Sequence, residues 1–355
     1  MTGSPRLWMR HEVRPTERRA PIVPADARIL VGDGVAVTVE DSPQRIFPIS
    51  DYVEAGCRIT EPGSGVGAPD DEFLVGLKEL PDEPAALVHR HVFFGHAYKG
   101  QSGAQQLLHR FASGGGTLLD LEYLVDARGH RLVAFGHWAG YVGAALAVLH
   151  YRDRLDPPLQ PLSKDSLDAA LVQPGCSAPP RTLIIGAFGR CGRGAQAALA
   201  IAGITPTCWG LEKTRSLDRA ALLGHEILIN AVLITTPVPP FLTPADLDDP
   251  ARRLTVVSDV SCDVSSACNM LPIYSDTTSW AQPARWLREG PPPLDIIAID
   301  NLPSLLPRES SVAFSTDLLP HLKSVGASAP PWLRCAQTFH SSLTGLDGLA
   351  SMTYR

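Results

Sequence analysis

The chain has 355 residues, 45% of them apolar and 19% charged, with a net charge of −6. That length allows two or three domains of ordinary size, and the apolar share is enough for a sizeable core, which excludes a disordered chain. The acidic balance argues against nucleic acid as the main partner, no run reaches the roughly 18 apolar residues of a membrane span, and the first residues lack the apolar stretch of a secretory signal, so a cytoplasmic protein without membrane contact is expected.

The first third alternates strand-like and helix-like pieces. "VAVTVE" at 35–40 has the period-2 pattern of a strand. "EFLVGLKE" at 72–79 reads as a buried strand through Phe73, Leu74, Val75 and Leu77, ending on the charged pair Lys78 and Glu79. "AALVHRHVFFGH" at 85–96 is a further strand that finishes at His96. "GQSGAQQLLHRFASGG" at 100–115 has helical spacing and a glycine stop, and "GTLLDLEYL" at 116–124 reads as another strand. Strands separated by short helices suggest a parallel α/β sheet.

An Ala/Gly-rich helix at 138–155 follows, then a Pro/Ser-rich stretch at 155–181. A second α/β unit opens with "TLIIGAFGRCGRGAQAALAIAGITPTCWG" at 182–210 and continues through apolar strands in 225–234, 254–261 and 294–303. A last helix and tail occupy 330–355 and are expected to pack on the first domain. The expected division is a first domain of 1–135 plus about 321–355 and a second of 136–320. Seven cysteines at irregular spacing give no disulfide framework, and His89 and His91 lack Cys, Asp or Glu at ligand spacing, so no metal site is expected.

Gly186, Gly189 and Gly192 stand at G-x-x-G-x-x-G between a strand and an Ala-rich helix. Glycines permit a tight turn and close backbone approach, and the following helix offers N–H groups and the positive end of its dipole to a pyrophosphate. The alternative is a strand-to-helix turn that holds no ligand. An acid about 20 residues on would hold the adenosine ribose, but Gly210 stands there, followed by Glu212, Lys213 and Arg215. Either the bases admit a 2′-phosphate or Glu212 reaches the ribose, which leaves NAD or NADP open.

A lysine at the mouth of an apolar strand can be tuned by burial and by a neighbouring carboxylate to act as a general base. Neighbouring parallel strands end at one edge, so Lys78 and His96 are expected to share a ligand crevice. The alternatives are a solvated edge lysine and a hydrogen-bonded core histidine.

Together "GLKELP", "HAYKGQ", "GTLLDLEYL", "FGHWAGYVGAALA", "LIIGAFGRCGRGA", "SDVSCD" and "IDNLPSLLPRES" resemble the lysine-forming saccharopine dehydrogenases, from "RHEVRPTERRAPIVP" to "APPWLRC". These belong with the alanine dehydrogenase-like enzymes. The resemblance implies an α/β protein of two Rossmann-like domains with parallel sheets and an active-site cleft between them. It implies Lys78 as base and His96 as acid/base, with Glu79 and Glu122 tuning them. Arg14, Arg19 and Lys99 would hold substrate, and Arg131, Glu212, Asp259 and Asp300 would lie on the cofactor side with the three glycines. From the residues alone, the arginines of "EVRPTERRAP" also fit a solvated basic loop.

The implied reaction is reversible: saccharopine, NAD(P)+ and water give lysine and 2-oxoglutarate. Rivals are a related opine-type enzyme that couples a different amine and 2-oxo acid, and a non-catalytic dinucleotide-binding regulator. The chain departs from the family at Gly210, where an Asp is usual, at Arg90 and His137, and through 152–180. Substrate, direction and oligomeric state stay open, with a monomer among the options.

Overall fold

The computed structural model describes residues 4–101, 103–173, 178–234, 236–262, 264 and 268–352, which leaves Cys176 and the end of the expected tail, 353–355, outside the described residues. The chain divides into two units, 1–134 with 310–355, and 135–309. The return to the first unit comes at Ser310, ahead of the 321 expected.

The first unit is built from β1 (Arg6–Met9), α1 (Pro24–Gly32), β2 (Ala36–Glu40), α2 (Ile49–Glu54), β3 (Arg58–Thr60), β4 (Glu72–Val75), β5 (Arg90–Phe93), α3 (Ala104–Gly114) and β6 (Thr117–Asp120). Its strands lie in the order β3-β2-β1-β4-β5-β6 and pair in parallel throughout. Every residue of β4 is buried, which suits an apolar run in a sheet covered on both faces. Burying Phe73 or Leu74 there contributes about 1.5–3 kcal/mol each relative to leaving it in water.

Two expected strands end early. β4 stops at Val75, and the chain bends at Leu77 and Lys78 after Gly76, where a Cβ would meet the Arg10 guanidinium at 2.3 Å. The strand expected over 116–124 stops at Asp120, whose carboxylate accepts from the Glu122 amide and opens a 3₁₀ turn at Leu121–Tyr123.

The second unit runs through α4 (Gly136–Tyr151), α5 (Lys164–Val172), β7 (Thr182–Ile185), α6 (Arg190–Ile201), β8 (Thr207–Trp209), α7 (Leu211–Arg215), α8 (Arg219–Leu223), β9 (Ile227–Asn230), β10 (Val256–Asp259), β11 (Arg285–Arg288) and β12 (Leu294–Ile297). Its sheet has the order β11-β12-β10-β9-β7-β8, parallel except for the edge strand β11. α4 is apolar on nearly all sides and mostly buried. It crosses α6 at backbone contact: a Cβ on Gly140 would meet the Cys191 carbonyl oxygen at 1.8 Å, and one on Gly194 would meet that of His137 at 1.8 Å. Only glycines allow that approach. The Pro/Ser-rich stretch holds α5, whose N-terminus Ser163 caps by accepting from the Ser166 amide.

Two long helices, α9 (Pro307–Leu322) and α10 (Pro330–Met352), end the chain. Ser311 and Ser315 of α9 accept from the amides of Ala20 and Val23. α10 lies on β6, with Arg334 donating to the Val125 carbonyl and Phe339 edge-on to Phe111.

Candidate active site

In the first unit β1 and β4 are neighbours, while the chain continues outward to β3 on one side and to β6 on the other. Connections leave such a switch point in opposite directions and open a crevice at the carboxyl ends of the strands. The residues following β1, β4, β5 and β6 carry most of the charged groups singled out above.

Lys78 is fixed from its backbone outward. The ladder continues past the strand ends through Arg10 N to Val75 O (3.0 Å), Gly76 N to Val92 O (2.9 Å) and Phe94 N to Leu77 O (3.3 Å). The Glu12 carboxylate accepts from the amides of Leu77 (2.7 Å) and Lys78 (3.0 Å), and the Arg10 guanidinium donates to the Lys78 carbonyl. Arg10 and Glu12 were not among the expected site residues. Their signal is a buried ion pair three residues or fewer past an apolar strand.

Around Lys78 two arginines hold two carboxylates. Arg14 grips Glu79 with bonds of 2.9 and 3.1 Å, and Arg19 grips Glu17 with bonds of 2.8 and 2.6 Å. Arg18 is exposed. Burial would raise the Glu17 carboxyl, but Arg19 and Lys78 outweigh it and hold the group below the ordinary range. Glu79 is held low in the same way, against its partial burial, by Arg14 and Lys78.

His96 lies beyond β5 with φ of 49°, the left-handed region that non-glycine residues adopt at a cost. Its Nδ1 stands 3.7 Å from Glu122 Oε2. Lys99 Nζ lies 2.8 Å from Glu122 Oε1, and Arg131 pairs with the same oxygen. Burial opposes ionisation of Glu122, but His96, Arg131 and Lys99 together bring it down to about 2. Arg131, expected on the cofactor side, thus lies within this cluster.

Beneath the cluster is Asp120, fully buried, with Oδ2 lacking a hydrogen-bond partner among the described residues. Burial, reinforced by the Glu122 charge, pushes its carboxyl up to about 6. The Tyr98 hydroxyl is also buried and without a hydrogen-bond partner among the described residues, and the Asp120 charge acts on it. Sequence reading passed over Asp120 as the last residue of an apolar strand.

In the second unit the glycine loop joins β7 to α6. Gly186 has φ of +80°, and a Cβ on it would meet the Ala231 carbonyl oxygen at 2.8 Å. A Cβ on Gly192 would meet the Gly186 oxygen at 2.3 Å. At Gly189, the N-cap of α6, a Cβ would meet only the Gly186 oxygen at 3.5 Å, so the space beside the helix N-terminus is open. That space belongs to a cavity of about 1150 Å³, lined by the loop, by Gly210 and Leu211 after β8 and by Ala231–Ile234 after β9. These features fit a dinucleotide: a cradle with no side chains, a helix N-terminus and a cleft of sufficient volume.

None of the acids expected beside the cofactor is among the residues that line this cavity. Glu212 is exposed and does not line the cavity. Asp259 is buried at the end of β10, where Asn230 (3.0 Å), Tyr274 (2.7 Å) and the Ser261 amide (3.0 Å) take its oxygens, and burial keeps its carboxyl above the usual range. Asp300 is exposed beyond β12, and its charge, with that of Asp259, helps burial to raise the Cys262 thiol.

The sequence model of the alanine dehydrogenase/PNT N-terminal domain matches residues 8–142. The NAD(+)-dependent, L-lysine-forming saccharopine dehydrogenase of Emericella nidulans is 38% identical over 98% of this chain and 100% of its own length. The enzyme of the same name from Neurospora crassa is 40% identical over 96% of this chain and 97% of its own. Among solved structures, an L-alanine dehydrogenase superposes with a TM-score of 0.67 at 17% identity, covering 94% of this chain and 93% of that one. A transhydrogenase from Sinorhizobium meliloti gives 0.60 at 15% identity, covering 91% and 94%. The fold is therefore the α/β, Rossmann-like one expected, and by its identity over nearly the whole length the chain belongs to the family of the L-lysine-forming saccharopine dehydrogenases.

Proposed function

We propose that the protein interconverts saccharopine and water with lysine and 2-oxoglutarate, using a cofactor of the nicotinamide adenine dinucleotide type, as the names of its relatives indicate for them. The observation that carries the reading is the convergence at one sheet edge of Lys78, His96 and Glu122 with two arginine–carboxylate pairs. The nicotinamide, when bound, accepts or returns the hydride. In the oxidative direction Lys78 takes the proton of the secondary amine, and its backbone is held in place for this by Glu12 and Arg10. His96 assists the addition of water to the resulting imine and the collapse of the carbinolamine. Glu122 stays ionised throughout and holds His96, Lys99 and Arg131 in place. Arg14 and Arg19, whose forks are held by Glu79 and Glu17, keep positive charge beside the place of the carboxylates that both substrate halves carry. Asp120, with its unpartnered oxygen, is a reserve proton site beneath the cluster.

A cytoplasmic setting is part of this reading, since seven cysteines at irregular spacing give no disulfide framework. The test is an assay of NADH and NADPH oxidation with 2-oxo acids crossed against amines. Consumption that needs both 2-oxoglutarate and lysine supports the reading. Turnover confined to another pair, or dinucleotide binding without turnover, refutes it.

A further inference from the structure

We propose that this chain selects NADP(H) over NAD(H), through Arg215 and the absence of a side chain at residue 210. The inference rests on the dinucleotide reading of the glycine-loop cavity and deepens it.

Specificity in a doubly wound fold is decided at the end of the second strand, where a carboxylate accepts from the 2′-hydroxyl of the adenosine ribose or a cation meets a 2′-phosphate. Here that strand is β8, and Gly210 follows it directly. The place where a side chain would stand is taken: a Cβ on Gly210 would lie 2.8 and 2.9 Å from the Phe188 ring. Phe188 itself is 66% exposed at the tip of the glycine loop and lines the cavity.

No carboxylate is found among the described residues that line this cavity, but two arginines are, Arg215 and Arg219. Arg219 is committed elsewhere, to Asp246 at 2.6 Å and to the carbonyls of Phe241 and Pro240 at 3.1 Å each. Arg215 is exposed and makes no hydrogen bond or ion pair among the described residues. The acids nearest in sequence do not compete for it within the cavity. Glu212 is exposed and does not line the cavity, and Asp218 caps α8 by accepting from the Ala221 amide at 3.0 Å.

The consequence is chemical. A ribose 2′,3′-diol finds no ionised acceptor here, whereas a 2′-phosphate with about −1.5 to −2 charges finds an uncommitted guanidinium able to bind two of its oxygens. The selection sets this chain apart from relatives whose names specify NAD(+).

The experiment is equilibrium titration of the full-length protein, without amino acid or 2-oxo acid, with NADPH and with NADH, followed by nicotinamide fluorescence. 2′,5′-ADP and 5′-AMP serve as competitors that carry the adenosine end alone. NADPH is expected to bind roughly 10- to 100-fold tighter than NADH, the worth of a hydrogen-bonded charge pair. Arg215→Ser is expected to remove most of that ratio by weakening NADPH, and 2′,5′-ADP is expected to displace NADPH far better than 5′-AMP. Arg215 is exposed and makes no bond among the described residues, so the variant is expected to keep the fold. NADH binding as tight as NADPH, or a ratio unchanged in Arg215→Ser, overturns the proposal, and binding of neither dinucleotide overturns it together with the dinucleotide reading. Tight NADPH binding without turnover on lysine and 2-oxoglutarate would instead refute the reaction and leave this selection standing.

Discussion

Arg19→Ala separates the two roles that the N-terminal arginines combine. Arg19 is 4% exposed and Glu17 1%, and the pair is joined by two side-chain bonds, with a third from the Arg19 amide to Glu17 at 3.0 Å. Removing one partner of such a pair leaves an uncompensated buried charge, at a cost of about 3–5 kcal/mol. A folding unit of this size shifts by about 2–4 °C per kcal/mol, so the melting temperature should fall by roughly 6–20 °C. Without Arg19, burial lifts the Glu17 carboxyl above its unfolded value. The penalty is then greatest at neutral pH, shrinks as pH falls through the raised folded value, and is gone below about 4.5, where the unfolded chain also takes up the proton. Glu17→Gln in the Arg19→Ala background should recover most of the loss by removing the orphaned charge. The assay is thermal unfolding by circular dichroism at pH 7 and pH 4 for the single and double variants, with Arg18→Ala as an exposed control near wild type. A melting point for Arg19→Ala within 2 °C of wild type, or no recovery in the double variant, refutes the reasoning. For substrate binding, kcat/KM for the 2-oxo acid, measured well below the melting range, should fall by about 2–5 kcal/mol in Arg19→Ala and far less in Arg18→Ala.

Gly189→Val should abolish dinucleotide binding in a folded protein, because its side chain enters the open space beside the α6 N-terminus; fluorescence titration reads the loss. Glu122, brought from 4.5 to about 2, contributes roughly 3 kcal/mol that is present above about pH 4.5 and lost as pH falls towards 2. Glu122→Gln should therefore be destabilised in urea unfolding at pH 7, with a gap to wild type that narrows across that window. Gly194→Ala must part α4 from α6, since its Cβ would lie 1.8 Å from the His137 carbonyl oxygen; a loss of about 1–3 kcal/mol or more in urea unfolding is expected.

The strong local patterns were legible in the sequence. β7, the glycine loop and α6 form the expected strand–turn–helix, and Lys78 and His96 do come to the same edge of one parallel sheet. β3 was passed over because three residues are too few to show a period, and β1 because its apolar residues, Leu7 to Met9, stand between Arg6 and Arg10. β11 lies at an edge, with a half-exposed pattern that resembles a loop. The close pass of Gly76 against the Arg10 guanidinium joins residues far apart in the chain, and no local pattern reports such a contact. The same holds for Glu12 beneath Lys78 and for Asp120, whose importance lies in burial rather than in spacing. Arg131 was assigned to the cofactor by resemblance, whereas an isolated bridge from Val125 to Arg131 brings it to Glu122.

The central claim is that Lys78 moves the proton of the amine. The direct measurement is the rate of dinucleotide oxidation by 2-oxoglutarate and lysine in wild type and Lys78→Met, with dinucleotide affinity titrated in the same preparations. A loss of roughly 10²–10⁴-fold in rate at unchanged dinucleotide affinity is expected. Near-normal turnover in Lys78→Met would contradict it.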